Sequence, residues 1–299
     1  MEMEDDEENE EPGKPGSEAK VQLPKSTAMQ SLGEVADKMD VLMELTLEHL
    51  KACVDEGRLP QVYDTLMHSF QSTILNTHKS KFTQFLVFYL CSLAPTTCGA
   101  AFASMLCDIF VNKSRPPNTR MTAAAYLASY LSRAKYLPLS VVSASLKRLV
   151  DWCLQYLPHH NEDWKAMNPG VHGVFYSAFQ AVMYILCFRM KMLMDDPQQR
   201  LLLEQLSLKN IIEHTLNPLK ICLPSVVEEF LRQVKAFHLF DVLSSKNALE
   251  MEESKAFGGV ERLDMFFPFD PYLLKRSDRF GLPVKPCSAY LVQTFHYLP

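Results

Sequence analysis

The chain has 299 residues, of which 47% are hydrophobic and only ten are glycine. This composition supports a buried core and argues against a loop-rich all-β fold. The net charge of −5 excludes the dense basic surface with which proteins usually bind nucleic acid. We therefore expect any DNA contact to be local and secondary.

The N-terminal end of the chain is strongly acidic. Residues 1–20 contain nine acidic residues and two lysines, a local net charge of −7 that leaves +2 for the remainder. So few apolar side chains cannot offset the entropy of the chain, and we predict that 1–30 is disordered. An acidic N-terminus also differs from a signal peptide. The longest apolar stretch, 175–188, is shorter than a membrane span, so we expect no membrane association.

From Ser31 onward, apolar residues recur every three or four positions, which is typical of α-helices. The first such face consists of Val35, Met39, Leu42, Met43, Leu50 and Val54. Gly57 is predicted to end that helix, and prolines separate several of those that follow. Further helices are predicted at 60–74, 82–93, 97–112, 120–134, 138–157, 174–188, 198–215, 225–235 and 237–249.

The fold class predicted from these elements is all-α, because no run of alternating strands is present. The helix starts pair at intervals of roughly 35–55 residues, which is the range of HEAT and armadillo units. We therefore predict an irregular HEAT/armadillo-like helical solenoid, and an irregular globular helical domain is the alternative. The helix at 174–188 is apolar on all sides and is predicted to be the most buried.

The sequence contains no pattern typical of a catalytic or metal site. His159, His160, Glu162 and Asp163 lie in a predicted loop without the spacing of metal ligands. The eight cysteines form no C-x-x-C pair and are expected to be small buried apolar side chains in a reducing compartment. We therefore predict no enzyme activity, no cofactor, no metal and no small-molecule substrate.

Basic residues cluster in two places. Arg133 and Lys135 end the helix before Pro138, where cations complement the helix dipole or contact a partner. Lys275 and Arg276 follow a run of phenylalanines at 266–269. Prolines keep that run from being a regular helix, so we interpret 251–280 as an extended segment that caps the last helical pair.

Five long segments are distinctive: QFLVFYLCSL at 84–93, YLASYLSRAKYLPL at 126–139, HGVFYSAFQAVMYILCFR at 172–189, NPLKICLPSVV at 217–227 and FFPFDPYLLKRS at 266–277. Together they resemble the TIF-IA family of RNA polymerase I-specific transcription initiation factors. The resemblance implies a HEAT-repeat fold. It also implies a nuclear and nucleolar factor that bridges RNA polymerase I to the promoter-bound selectivity complex.

The resemblance further assigns a partner contact. The family motif LARAK, associated with contact to the polymerase stalk, appears here as LSRAK, in which Leu131, Arg133, Ala134 and Lys135 match and Ser132 differs. We add Lys275 and Arg276 as predicted contacts, which makes the candidate set Leu131, Arg133, Ala134, Lys135, Lys275 and Arg276.

The resemblance covers the C-terminal half of the family and stops near residue 280. The chain is predicted to divide into an acidic linker remnant at 1–30, HEAT-like repeats at 31–250, the capping segment at 251–280 and a divergent tail at 281–299. It is therefore expected to be a truncated form of the initiation factor. The alternatives are a helical-repeat scaffold or adaptor with another intracellular partner, or an inactive fragment.

Overall fold

The computed structural model describes residues 25–77, 82–157, 169–240 and 274–280. Within these ranges it contains helices and turns and no β-strand. The α-helices are α1 (Lys25–Asp55), α2 (Leu59–Ser69), α3 (Thr83–Leu93), α4 (Ala100–Val111), α5 (Pro117–Arg133), α6 (Leu139–Tyr156), α7 (Gly173–Asp195), α8 (Pro197–Glu204), α9 (Leu208–Ile212), α10 (Pro218–Ile221) and α11 (Pro224–Phe237). The all-α prediction is confirmed.

The chain divides into two compact units, residues 1–39 and 40–299. The described part of the first unit is helical backbone that begins at Lys25, earlier than the predicted start at Ser31. Two apolar side chains of this unit, Val35 and Met39, are exposed to solvent.

Within the second unit, the buried face of α1 differs from the predicted one. Met43, Leu47 and Leu50 are buried at the spacing of successive helical turns, whereas Leu42 is 61% exposed. Apolar periodicity identified the helix correctly but placed Leu42 on the wrong side. Gly57 follows the helix with a φ of +77°, a left-handed conformation that favours glycine and ends α1 where predicted.

An aromatic cluster holds α3, α4 and α5 together. The Phe102 ring meets Phe70 edge-on at a centroid distance of 5.2 Å and Tyr130 at 4.9 Å, and Phe88 lies 5.0 Å from Tyr130. Such pairs stabilise a core beyond the burial of their area. Gly99 lies beside this cluster, where an added Cβ would come within 2.9 Å of a Leu137 methyl carbon. A larger residue at this point would therefore have to displace the end of the Leu137 side chain.

Helix α7 is the core of the second unit. It packs against α5 and α6 and also contacts α8, α10 and α11. Phe175, Phe179, Val182 and Leu186 have no exposed surface. This confirms the prediction that the helix containing 174–188 is the most buried.

One described segment, Gly170–Asp195, is long and apolar enough to cross a membrane by length and composition alone, with a mean hydropathy of 1.5. Because 78% of the apolar 18-residue stretch within this segment is buried, the segment matches the core helix of a folded unit.

The predicted helices after α7 are only partly correct. The single helix predicted at 198–215 is divided into α8 and α9, and α10 lies within the NPLKICLPSVV segment. Helix α11 ends at His238, which has a φ of +51°. The predicted helix at 237–249 lies mostly outside the described residues, as do the phenylalanine run at 266–269 and the tail at 281–299.

Candidate partner-binding surface

The LSRAK turn, residues 131–135, forms the end of α5 and the first residues after it. Leu131 and Ala134 have no exposed surface, and Arg133 is only 6% exposed. Lys135 alone among the predicted contacts of this turn is exposed. Arg133, which was predicted to contact a partner, therefore has its side chain in the interior.

Arg133 lies in a buried polar network that links α5 to α3. Its Nε donates to the Ser129 hydroxyl at 3.3 Å, and that hydroxyl donates to the Gln84 side-chain oxygen at 2.8 Å. The guanidinium lies 5.8 Å from the centroid of the Phe85 ring. These contacts stabilise a buried cation and fix its side chain. Arg133 consequently positions the turn.

Arg189 of α7 reaches the same turn from the opposite side. It is fully buried, its Nε donates to the Leu131 carbonyl at 2.7 Å, and its Nη2 donates to the Ala134 carbonyl. The last carbonyls of a helix have no partner within the helix, so a cation that binds them also complements the helix dipole. This role of Arg189 was not predicted, although a charged residue in an otherwise apolar helix is a signal for a buried function.

The second predicted cluster lies on a short segment, Leu274–Phe280, which we call the clasp. The Asp40 carboxylate accepts backbone N–H bonds from Lys275 at 2.8 Å, Arg276 at 2.7 Å and Ser277 at 3.0 Å. It also accepts the Ser277 hydroxyl at 2.6 Å. One carboxylate of α1 therefore holds the backbone of three consecutive residues from the other end of the chain.

The electrostatics of Asp40 follow from these bonds. Burial alone raises the pKa of Asp40, but the hydrogen bonds from the Ser277 hydroxyl and the three backbone N–H groups outweigh it. The pKa consequently lies below its ordinary value of 3.8. Asp40 is ionised at neutral pH and holds the clasp as a carboxylate.

The end of the clasp makes two further contacts. Arg279 pairs with Glu44 at 2.9 Å and with Glu48. Asp40, Glu44 and Glu48 are four residues apart and so share one face of α1. The Phe280 ring meets Tyr89 edge-on at 5.8 Å. With the backbone held in this way, Lys275 and Arg276 lie exposed on the surface.

Helix α3 brings the two clusters to the same part of the molecule. Phe85 contacts the Arg133 guanidinium and Tyr89 contacts Phe280. These two aromatic residues are four positions apart on α3 and therefore lie on the same face. The LSRAK turn and the clasp therefore pack against successive turns of one helix, although they are far apart in sequence.

Chemistry of other kinds has little support in the described residues. They contain no group of three or more His, Cys, Asp or Glu side chains arranged to hold a metal ion. Cys53, Cys91, Cys107 and Cys153 are buried, as predicted, whereas Cys187 is only partly buried. Burial raises the pKa of the Cys91 thiol to about 12 and that of Cys107 to about 11, so these thiols are protonated and unreactive at neutral pH. The predicted polar loop with His159 and His160 lies outside the described residues.

Comparison with known proteins gives consistent results. The family model "RNA polymerase I specific transcription initiation factor RRN3" matches residues 1–286. RNA polymerase I-specific transcription initiation factor RRN3 of Mus musculus is 35% identical over 272 residues, which cover 83% of this chain and 41% of the relative. The corresponding factor of Schizosaccharomyces pombe is 30% identical over 225 residues, with coverages of 72% and 37%.

A solved structure shares the fold. The crystal structure of RNA polymerase I transcription initiation factor Rrn3 superposes with a TM-score of 0.70 at 22% identity, covering 87% of this chain and 56% of that one. Its helical repeat fold agrees with the predicted HEAT-like class. The present chain spans less than half the length of the curated relatives described above.

Proposed function

Because the chain belongs to the RNA polymerase I-specific transcription initiation factor RRN3 family, we propose that it binds RNA polymerase I and acts in the initiation of ribosomal RNA synthesis. The observation that carries this proposal is the family match over residues 1–286. Since the chain spans only part of each relative, the activity of the whole factor is part of the proposal. A site of action in the nucleus, and within it the nucleolus, follows from the same function.

The proposed mechanism is binding without catalysis. In this proposal the chain contacts the stalk region of the polymerase and also the promoter-bound selectivity complex. It requires no cofactor, no small-molecule substrate and no membrane, and any contact with DNA is secondary.

The proposed polymerase contact consists of the exposed cations beside α3. Lys135, Lys275 and Arg276 are exposed, and the two segments that carry them pack on the same face of that helix. The other three candidate residues, Leu131, Arg133 and Ala134, are buried and would act by fixing the backbone at Lys135. Rim cations of this kind affect association rate and specificity more than folding.

The test is a binding measurement between the 299-residue chain and purified RNA polymerase I. Replacing Lys135, Lys275 and Arg276 together by glutamate should reduce the affinity by about tenfold or more, because all three charges of the proposed contact are reversed. The matched control replaces Lys191, Lys220 and Lys235 by glutamate; these lysines are exposed on α7, α10 and α11. It carries the same change in charge and should retain binding.

Two outcomes would contradict the proposal. Absence of binding to polymerase I by the unmodified chain would favour a helical-repeat adaptor with another partner. Equal weakening by both triple variants would show that the net charge, and not this surface, controls the association. RNA polymerase II serves as the specificity control and should not be retained.

A further inference from the structure

A groove lies at the other end of α5, between the end of α4 and the outer face of α6. It encloses about 770 Å³ and is lined by Lys113, Arg120, Arg148, Asp151, Trp152 and Tyr156, among others. Arg120 lies in the first turn of α5 and the LSRAK turn lies at its C-terminal end, a separation of about 20 Å at the helical rise. We call this groove the Arg120 groove, and it is distinct from the proposed polymerase contact.

Arg120 is held rigidly in this groove. Its Nε donates to the Phe110 carbonyl at 2.7 Å, and its guanidinium lies 5.3 Å from the Trp152 ring centroid and 5.7 Å from that of Phe110. Its Nη2 is buried and has no hydrogen-bond acceptor among the described residues. A buried N–H of a charged group without an acceptor is costly, and a small movement of the guanidinium toward the groove would let a ligand oxygen supply the missing bond.

The charge of the groove favours an anion of limited size. Lys113, Arg120 and Arg148 line it against the single acidic side chain of Asp151. Arg148 is paired with Asp108 at 2.7 Å and Asp151 with Lys147 at 2.6 Å, which leaves Lys113 and Arg120 as the uncompensated cations among the described lining residues. Two such charges suit one or two carboxylates. A nucleic-acid backbone usually requires a denser basic surface.

The floor of the groove is aromatic. Trp152 and Tyr156 stack at 5.3 Å with an interplanar angle of 23°, and Tyr156 is fixed by a 2.9 Å contact between its hydroxyl and Nδ1 of His172. Flat, rigid aromatic surfaces provide apolar contact area with little loss of conformational entropy. An aliphatic side chain next to a bound carboxylate would rest on this surface.

From these features we infer that the Arg120 groove is a docking site for an acidic peptide segment of a partner protein. A glutamate or aspartate carboxylate of that segment pairs with the Arg120 guanidinium at the groove surface, and a neighbouring apolar residue packs on Trp152 and Tyr156. Lys113 at the rim attracts the acidic segment. The size of the groove lies within the roughly 300–1,000 Å³ of ligand pockets, enough for a short extended segment.

The experiment measures the fluorescence anisotropy of a short labelled peptide of alternating glutamate and leucine, titrated with the full chain at about 0.15 M ionic strength. A peptide with glutamine in place of every glutamate is the matched control and should bind at least about tenfold more weakly. Arg120→Gln should lower the affinity for the acidic peptide by a similar factor. Lys191→Gln, which removes an exposed cation on α7, should leave it unchanged.

Circular dichroism melting establishes whether each variant is folded. If Arg120→Gln does not fold, the Lys113→Gln variant is the test of the inference. Lys113 is exposed, so this variant should fold and should still bind the peptide about threefold or more weakly. Equal affinity for both peptides, or full affinity in a folded Arg120→Gln or in Lys113→Gln, would overturn the inference. If a DNA duplex bound more tightly than the acidic peptide, and the same variants lost this binding, the inference would also be overturned and the groove would be assigned to phosphate.

Discussion

At the scale of single residues, two arginines fix the end of α5 from inside the protein. Arg189 binds the Leu131 and Ala134 carbonyls, and Arg133 is held between Phe85 and the Ser129 hydroxyl. Both side chains carry a charge and both are buried. Their cost of burial is offset by charge-assisted hydrogen bonds and by contact with an aromatic ring.

Arg189→Met is expected to reduce the free energy of unfolding by about 2–4 kcal/mol, because two charge-assisted hydrogen bonds to the end of α5 are lost. Urea denaturation followed by circular dichroism measures the change. Lys191→Met removes an exposed cation two positions along the same helix and should change stability by no more than about 0.5 kcal/mol. Equal effects of the two changes would show that Arg189 contributes no specific bonds.

Arg133→Glu and Lys135→Glu are expected to have opposite consequences. Arg133→Glu places an anion in a buried site built for a cation and should destabilise by about 2 kcal/mol or more. Lys135→Glu should leave the melting temperature nearly unchanged and weaken association with RNA polymerase I. Thermal melts and polymerase binding, measured on both variants, separate the positioning residue from the contact residue. Retained stability in Arg133→Glu would contradict the buried position.

The site was only partly predictable from sequence at this scale. The LSRAK motif indicated the position of the turn. A cation in the last turn of a helix is usually exposed, however, so the burial of Arg133 was not evident. Its partner Ser129 in turn donates a hydrogen bond to Gln84, which lies 45 residues from Ser129 in sequence. No local pattern indicates a partner at such a distance.

At the scale of elements, α7 organises the helices around it. Its apolar residues pack against α5, α6 and α11, and no side chain of residues 173–190 is exposed. The all-round hydrophobic pattern of the sequence predicts this central position. The short helices after it were predicted poorly, because their ends depend on local backbone geometry such as the left-handed Asn217 and on packing.

Phe179→Ala in α7 is expected to destabilise by about 3–5 kcal/mol, the usual cost of emptying a packed aromatic site. Phe179 has no exposed surface and meets Phe230 of α11 edge-on at 6.4 Å. Chemical denaturation gives the change in unfolding free energy. Met192→Ala on the same helix, where Met192 is 37% exposed, serves as the control and should cost much less. A cost near zero at Phe179 would contradict the central position of α7.

At the scale of the whole molecule, the clasp joins residues that are far apart in the chain. Asp40 binds the backbone of residues 275–277, and Glu44 and Glu48 bind Arg279. Sequence analysis predicted an extended segment in this region and exposed cations at Lys275 and Arg276. It did not identify α1 as the surface that receives the segment, because an aspartate on a helix has no signature for capturing remote N–H groups.

Because of the clasp, the free energy of unfolding should depend on pH. A carboxyl whose pKa is lowered in the folded state contributes stability that is fully present above its unfolded pKa, near 3.8 for Asp40, and is lost as pH falls through the folded value. Asp40→Asn should therefore be less stable than the unmodified chain at neutral pH, and the difference should diminish below about pH 4. Urea denaturation at neutral pH and at about pH 3 tests this expectation.

The control for this measurement is Asp195→Asn, which neutralises an exposed carboxylate at the end of α7. It should show little loss of stability at neutral pH. A pH-independent difference between the unmodified chain and Asp40→Asn would mean that the hydrogen bonds of the clasp do not favour the ionised carboxylate.

The span of the clasp also determines when it forms during protein synthesis. Asp40 and Lys275 are 235 residues apart, so at typical translation rates Asp40 leaves the ribosome roughly 10–50 s before its hydrogen-bond donors. During that interval the acidic face of α1 stays open to solvent while the helices between the two segments are made. A chain released before Leu274 would keep that face open permanently. The closed clasp therefore distinguishes a chain translated to this point from a prematurely terminated one.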